Sequence, residues 1–553
     1  MSSGDPSFLL GPAAEDTFRS GTNLVSSRLT VPFGVNRFAW KSQIAGDGSQ
    51  QFKAAAGKVR RAVRERTEVS GGLSFNELFA LGFGAIVGSG WIVGVGQWLG
   101  TAGPAGSLVA FACGAAVTSL VGLCYADMAA RYPIAGGDAI YAYEVFGERA
   151  AFTVGWLLTL VYLGTMAFLA ITFGWLLTAL IPAIEGPSLY RVFGEEVHLG
   201  VVIAGCAALG AFAVANHRGV RSSGALQSRI VLIKVIVTLV FIVIGLVCGR
   251  VENLYPLFGS GHAAESPIEA VLIVYIATPY WYAGFGVITQ GMSERATALS
   301  SRAAARAILL SIAAAFLFYA LIIVTIAVVA PREVLLSAPL PAVHAFEAAL
   351  GSRVVSKTVL LAGLLGVLGT CNALFFAIAR ILLSLARARM IPAVFARTHK
   401  TFRTPWFGIA FAGTFAFAAS LLGRAAVGPI INMSGLVLAI LFLLVAIGVL
   451  RLRLRSARER PHRHRHSGLV LPLAGASGAS GFVAIALRDL LRGTRSELKT
   501  EVIVIVAWLA VGLALWFWTR PGRLRLSETA RRAALFEPYA PARALVHATT
   551  EIE

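Results

Sequence analysis

The stretch LFALGFGAIVGSGWIVGVG, from Leu78 to Gly96, is apolar and long enough to cross a bilayer, yet Gly88-Ser89-Gly90 lies at its middle. A backbone that leaves the helix at membrane depth exposes polar groups to hydrocarbon, so such a break is tolerated only where it lines a protein cavity. A second stretch has the same character. VLIVYIATPYWYAGFGVITQGM, from Val271 to Met292, carries Pro279 and then Ala283, Gly284 and Gly286. Proline removes a helix hydrogen bond, and the glycines let a ligand approach the main chain closely.

The rest of the chain sets these two stretches in a series. Of the 553 residues, 57% are hydrophobic and only 14% charged, against about 25% charged in ordinary soluble proteins. That excludes a soluble globular enzyme. Uncharged apolar runs predict twelve spans, near 75–99, 103–127, 150–182, 198–215, 230–249, 268–293, 306–330, 354–386, 405–423, 425–450, 468–487 and 501–519. Runs of this length exclude a transmembrane barrel. The broken stretches are spans one and six, the spacing of a five-plus-five inverted repeat. Small residues also serve close helix packing, but mid-span placement in corresponding members of two halves favours a binding site. The predicted organisation is a basic tail at 1–74, a ten-helix core at 75–450 with repeats at about 75–249 and 268–450, a His/Arg loop at 451–467, two further helices within 468–519, and a tail at 520–553.

The net charge of +20 would suggest nucleic acid in a soluble protein; here it follows topology. The two tails and the loops after even-numbered spans hold 36 of the 48 Lys and Arg, and the loops after odd-numbered spans hold 10. Lys and Arg are retained on the cytoplasmic side during insertion, so both termini are expected there, against the lipid headgroups. The first fifty residues contain no apolar core of a secretory signal. Lys53 to Arg66 (KAAAGKVRRAVRER) reads as either an interfacial basic helix or a basic tail. Pro461 to His466 (PHRHRH) reads as a solvated basic loop rather than a metal site. Cys113, Cys124, Cys206, Cys248 and Cys371 all fall in apolar runs with no ligand spacing, so neither disulfides nor zinc is indicated.

A broken helix offers amide N–H groups at the start of its second half and carbonyls at the end of its first, with the helix dipole reinforcing both. That suits a zwitterion. The amides around Gly88, Ser89 and Gly90 are expected to hold a carboxylate, and carbonyls near Ile86, Tyr280 and Ala283 an ammonium, with Gly284 allowing close approach.

Four segments resemble the amino acid-polyamine-organocation (APC) superfamily of permeases, over nearly all of residues 73–520. They are Gly84 to Gly90 (GAIVGSG), Tyr125 to Gly147 (YADMAARYPIAGGDAIYAYEVFG), the aromatic break of span six, and Ala379 to Trp406 (ARILLSLARARMIPAVFARTHKTFRTPW). In the second, Pro133, Gly136 and Gly137 match; in the last, Arg380, Pro392, Phe395 and Pro405 match. The resemblance implies an all-α, LeuT-like core of ten helices, two accessory C-terminal helices, alternating access about a central site, and an amino acid or related amine as substrate. Two positions depart from the family pattern: Gly284-Phe285-Gly286 lacks the carboxylate that commonly follows the span-six glycine, and Asp127 stands where Glu is usual.

Lys234 is a basic residue set inside an apolar span, RIVLIKVIVTLVFIVIG, where an ionisable group suggests function. Placed four residues after the expected span start at Ile230, its amine is equally within reach of the headgroups by snorkelling. Some permeases of the resembled family place a span-five lysine between spans one and eight, where sodium-coupled relatives hold their ion. The resemblance therefore implies proton coupling at Lys234, or else a lysine that stays charged in an exchanger.

Spans three and six carry no Asp or Glu between Ala150 and Ile184 or between Val271 and Met292, which favours a neutral substrate. Tyr280, Trp281, Tyr282 and Phe285 offer aromatic surface, and Tyr162 and Asn372 are further lining candidates. The competing readings are a permease for amines without a carboxylate, such as ethanolamine or a polyamine, and a transporter-like sensor or partner-binding subunit. No nucleophile paired with a base, metal-ligand cluster or phosphate loop points to an enzyme or a bound cofactor.

Overall fold

The computed structural model describes residues 73–536, except 133, 135, 193, 260–265, 293–299, 337–339, 403, 460–466 and 493–499. These residues fall in one compact unit, residues 71–553. The basic segment Lys53 to Arg66, the PHRHRH run and the distal C-tail lie outside the described residues.

Helix α1, Phe75–Ile86, starts where Ser74 and Glu77 cap one another. The Ser74 side chain accepts from the Glu77 amide, and the Glu77 carboxylate accepts from the Ser74 amide at 2.8 Å. This reciprocal cap satisfies two of the donors that every helix start leaves unpaired. Helix α2, Gly90–Arg131, has 42 residues, interrupted by a kink at Gly103, whose φ of 72° is left-handed, followed by Pro104. At about 1.5 Å per residue it would measure about 63 Å, twice a bilayer core. The kink thus divides the stretches expected as the end of span one and the whole of span two.

Helix α3, Gly137–Phe146, leads into α4, Glu148–Leu180. Then come α5, Leu199–His217, and α6, Val220–Cys248. The broken sixth stretch supplies α7, Pro267–Tyr282, a 3-10 turn, Ala283–Phe285, and α8, Gly286–Gln290. Beyond it run α9, Ser301–Val329; α10, Arg332–Leu336; α11, Pro341–Leu350; and α12, Arg353–Arg387. The last group is α13, Trp406–Ser420; α14, Val427–Glu459; α15, Ser467–Arg492; α16, Thr500–Trp518; α17, Arg520–Leu524; and α18, Glu528–Phe536.

Ten helices among the described residues are long and apolar enough to cross a membrane, and α1 and α13 are shorter apolar helices. The outer surface leaves Val247, Ile268 and Trp518 more than 70% exposed. Such a surface is unfavourable in water and favourable in lipid; the chain is an integral membrane protein.

Several details differ from the sequence expectations. Helix α6 begins at Val220, ten residues before the expected span, because helical hydrogen bonding continues through polar residues that an apolar run excludes. Helix α14 likewise continues to Glu459, so much of the expected loop at 451–467 is helical. The expected tail at 520–553 begins with two helices, tied back by Arg523 to Glu148 at 2.9 Å and Arg532 to Glu144 at 2.8 Å. A short antiparallel hairpin, β1 Ser188–Val192 and β2 Glu195–His198, stands in the connection before α5. It is fastened by Tyr190, whose hydroxyl donates to Leu421 O at 2.6 Å, and by Arg424 to Glu195 at 2.6 Å.

Candidate functional site

The first break is a true interruption. Helix α1 ends at Ile86, Val87 turns out of the helix at φ −90° and ψ 88°, and α2 starts at Gly90. In the sixth stretch the helix passes through Pro279, and the break falls later, as the 3-10 turn at Ala283–Phe285. Proline has no N–H for the carbonyl of Tyr275, four residues back; the Thr278 hydroxyl donates to that oxygen instead, at 2.7 Å.

The two breaks touch. A Cβ on Gly284 would fall 2.2 Å from Ile86 N and 2.3 Å from Ala85 C, and one on Gly90 would fall 2.2 Å from the Trp281 ring. Helix α12 closes the other side, where a Cβ on Gly366 would fall 2.4 Å from Gly88 O. Thr370 of the same helix donates to Gly84 O at 2.8 Å. Glycine is needed at Gly284 and Gly366 because main chain meets main chain there.

A cavity of 50 Å³ lies at this junction, lined by Ile86, Gly88, Gly90, Tyr162, Tyr280, Trp281, Ala283 and Gly284 of the expected residues, together with Thr165 and Thr370. That is room for about four waters, so a larger ligand requires the walls to move. Ser89, Tyr282 and Asn372 do not line it. Ser89 is fully buried behind the break, and the Tyr282 hydroxyl donates to Phe111 O at 3.1 Å. Asn372 belongs to a separate buried amide cluster, donating to Gln227 Oε1 at 2.8 Å and accepting from Asn216 Nδ2 at 2.9 Å. Gln227 in turn donates to Ala80 O at 3.2 Å, beneath α1. Trp281 also lines a neighbouring cavity of 240 Å³ with Gln97, Asn432 and Glu501, so its indole stands between the two spaces.

Lys234 points into the protein, not toward headgroups. It is 1% exposed, its Nζ donates to Val87 O at 2.6 Å, and it lies 5.0 Å from the Phe83 ring centroid. An ammonium has three donors; here the first break takes one and an aromatic face attends the amine.

Tyr319 of α9 was not legible in the sequence. Its hydroxyl lies 3.0 Å from Ile86 O and 3.2 Å from Trp281 O, joining the two breaks. One tyrosine among twelve gives no signal by itself, since helix facing is set by packing. Thr165 and Thr370 went unseen for the same reason. Replacing Tyr319 with phenylalanine removes only this bridge. A buried hydrogen bond contributes about 1 kcal/mol, so Tyr319→Phe is expected to lower the uptake rate about fivefold with near-normal membrane expression; an unchanged rate would show the bridge to be idle.

Comparison with known proteins gives a consistent picture. The family described as "Amino acid permease" matches residues 73–520. The methylthioribose transporter of Bacillus subtilis is 26% identical over 368 residues, 62% of this chain and 74% of the relative. The branched-chain amino acid permease BcaP of the same organism is 24% identical over 363 residues, 63% of this chain and 73% of the relative. Mouse cationic amino acid transporter 4 is 30% identical over 368 residues, 63% of this chain and 55% of the relative. These relatives are transporters, and none is an enzyme by its description.

Proposed function

We propose that this chain, which belongs to the amino acid permease family, carries neutral amino acids across the cytoplasmic membrane by alternating access, with protons as the coupling ion at Lys234. It is a transporter and not an enzyme. In this reading the helices form twelve spans, ten of them in a LeuT-like five-plus-five inverted repeat and two accessory, with both termini cytoplasmic. The observation that carries the reading is the meeting of the two main-chain breaks in one cavity. Helix α2 begins there with amides that have no intrahelical acceptor, a fitting seat for a carboxylate. The end of α1 supplies carbonyls for an ammonium, which would share Ile86 O with the Tyr319 hydroxyl. Trp281 and Tyr280 supply apolar surface for a side chain.

A neutral side chain is favoured because none of the residues lining the cavity is acidic or basic. A cationic substrate is the second reading, favoured by the relatives described as cationic amino acid transporters. A buried cationic side chain without a carboxylate partner is costly, which sets this second. The test is competition: unlabelled leucine is expected to suppress labelled-leucine uptake into proteoliposomes at concentrations where arginine, putrescine and ethanolamine do not. Suppression by arginine alone would assign the site to cationic amino acids, and suppression by the amines alone would remove the carboxylate seat from the account.

The surroundings of Lys234 support the reading of coupling at this residue. Among the described residues the buried ammonium has one carbonyl partner and no carboxylate, which compensates it poorly, so movement of the first break, which carries Val87 O, changes the cost of keeping the proton. A permanently charged lysine in an exchanger is the alternative outcome.

A further inference from the structure

We propose that Asp138 binds a proton and, when it does, latches the end of the broken sixth helix to α2 and α3. This site is separate from Lys234 and does not depend on the reading of that residue. Asp138 lies in the first turn of α3, outside the membrane-spanning helices, and is 2% exposed. Two other helices converge on its carboxyl group. The Tyr125 hydroxyl of α2 donates to Oδ1, and Gln290, the last residue of α8, stands with Nε2 3.4 Å from Oδ2.

The glycines before Asp138 wedge α3 into place. Gly137 has a φ of 39°, and a Cβ there would fall 2.6 Å from both Gln290 Nε2 and Thr289 Oγ1; Gly136 has a φ of 106°, and a Cβ there would fall 2.6 Å from Ser384 Oγ of α12. The carboxyl group thus sits where α8 is held.

Two donors reach the carboxyl group, but its burial finds no compensating ion pair among the described residues. The titratable groups facing it are tyrosines: Tyr125 from α2, Tyr141 from its own helix and Tyr162 from α4. From α8 come only neutral Thr289 and Gln290. On α12, Ser384 is neutral and Arg380 donates to its own helix at Phe376 O, 2.6 Å away. On α14, Phe442 packs on the Tyr125 ring. No ion pair reaches Asp138 among the described residues.

A second observation completes the site. Gln290 Oε1 is buried without a hydrogen-bond partner among the described residues. Turning the amide over, a choice that its two near-identical ends permit, sets that oxygen opposite Oδ2, where a protonated Asp138 donates to it. Both carboxyl oxygens are then paired, Oδ1 with the Tyr125 hydroxyl and Oδ2 with Gln290 Oε1. The ionised form has no use for Gln290 Oε1 and holds Nε2 only at long range. On deprotonation the proton passes to water, and the carboxylate gains by hydration, which separates α8 from α3.

Burial raises the Asp138 carboxyl to about 6, against the opposing pull of the Tyr125 hydroxyl and the α3 backbone. An acid with a raised folded-state pKa stabilises the fold fully below its ordinary value and loses that contribution as pH rises through about 6. The latch therefore holds in acid and releases toward neutrality.

The experiment is infrared titration of the purified full-length protein, followed by thermal unfolding over the same pH range; neither readout requires a transported substrate. The expected result is a protonated-carboxyl band that disappears with a midpoint near 6 and is missing in Asp138→Asn. The wild-type melting temperature is expected to fall as pH rises from about 5 to about 7.5, whereas Asp138→Asn, which mimics the protonated acid, stays flat. Tyr125→Phe removes the donor that favours the carboxylate and is expected to move the midpoint upward, which tests the site even if the asparagine variant fails to fold. A wild type without the band, a band that persists in Asp138→Asn, or an unmoved midpoint in Tyr125→Phe would overturn the proposal.

Discussion

Lys234→Ala is expected to exchange substrate across the membrane while no longer accumulating it against a proton gradient. One pH unit is worth about 1.36 kcal/mol, so an inward gradient of that size supports about tenfold accumulation for one proton per substrate. In the variant that ratio falls to one. The amine donates to Val87 O inside the first break, so a group that gains or loses a proton there acts on the same backbone that seats the substrate. Removing it also strips a buried carbonyl of its donor, at a cost of about 1–3 kcal/mol; a melting curve separates this loss of stability from a loss of coupling. Lys234→Arg retains positive charge and does not release a proton at working pH, so it is expected to exchange without accumulating. Persistent gradient-driven accumulation in Lys234→Ala would refute coupling at this residue.

Gly284→Ala is expected to reduce transport by about fivefold to a hundredfold, although it adds a single methyl group. That methyl would fall 2.2 Å from Ile86 N and 2.3 Å from Ala85 C. Both are main-chain atoms, which cannot turn aside as the end of a flexible side chain can. Overpacking a tight core costs about 1–3 kcal/mol, and each 1.4 kcal/mol is about tenfold. The strain here falls on the contact between the two breaks. Gly286 supplies the internal control, because two residues later the nearest atom to a Cβ is Tyr162 Oη at 3.6 Å. Gly286→Ala is therefore expected to transport within about twofold of wild type, since ordinary contact carries no packing penalty. Equal losses in the two variants, measured at matched membrane abundance, would contradict the geometry of the junction.

The parts of this site that were legible in the sequence are those that backbone chemistry marks. Gly88-Ser89-Gly90 announces the first break because an apolar helix has little other reason to place glycines around a serine at mid-membrane. Pro279 points to the second break less directly: the Thr278 hydroxyl repairs the missing hydrogen bond, and the helix opens only at Ala283. Lys234 stands out through its charge, but its depth stays open in the sequence because α6 extends back to Val220 beyond the apolar run.

What the sequence hides is which way a helix faces. Nothing in its local surroundings tells that Tyr319 bridges the breaks while Tyr282 bonds to Phe111 O, since both are aromatic residues in apolar helices. Asn372 suffers the same ambiguity; a polar residue in span eight was sought at the cavity and is found instead bonded to Gln227 and Asn216. The hairpin at Ser188–His198 escaped notice because two short strands joined by a turn leave little trace beside spans of twenty or more apolar residues. Asp138 lay within a quoted motif, and its neighbours Tyr125 and Gln290, 13 and 152 residues away in the chain, became partners only in three dimensions.

The central claim, proton-coupled transport of a neutral amino acid through the junction of the two breaks, is tested most directly by labelled-leucine uptake into proteoliposomes with the outside made more acidic than the inside. The account predicts accumulation above the external concentration that collapses when a protonophore is added. Uptake that only equilibrates, or appears only as exchange with internal amino acid whatever the pH, would contradict it.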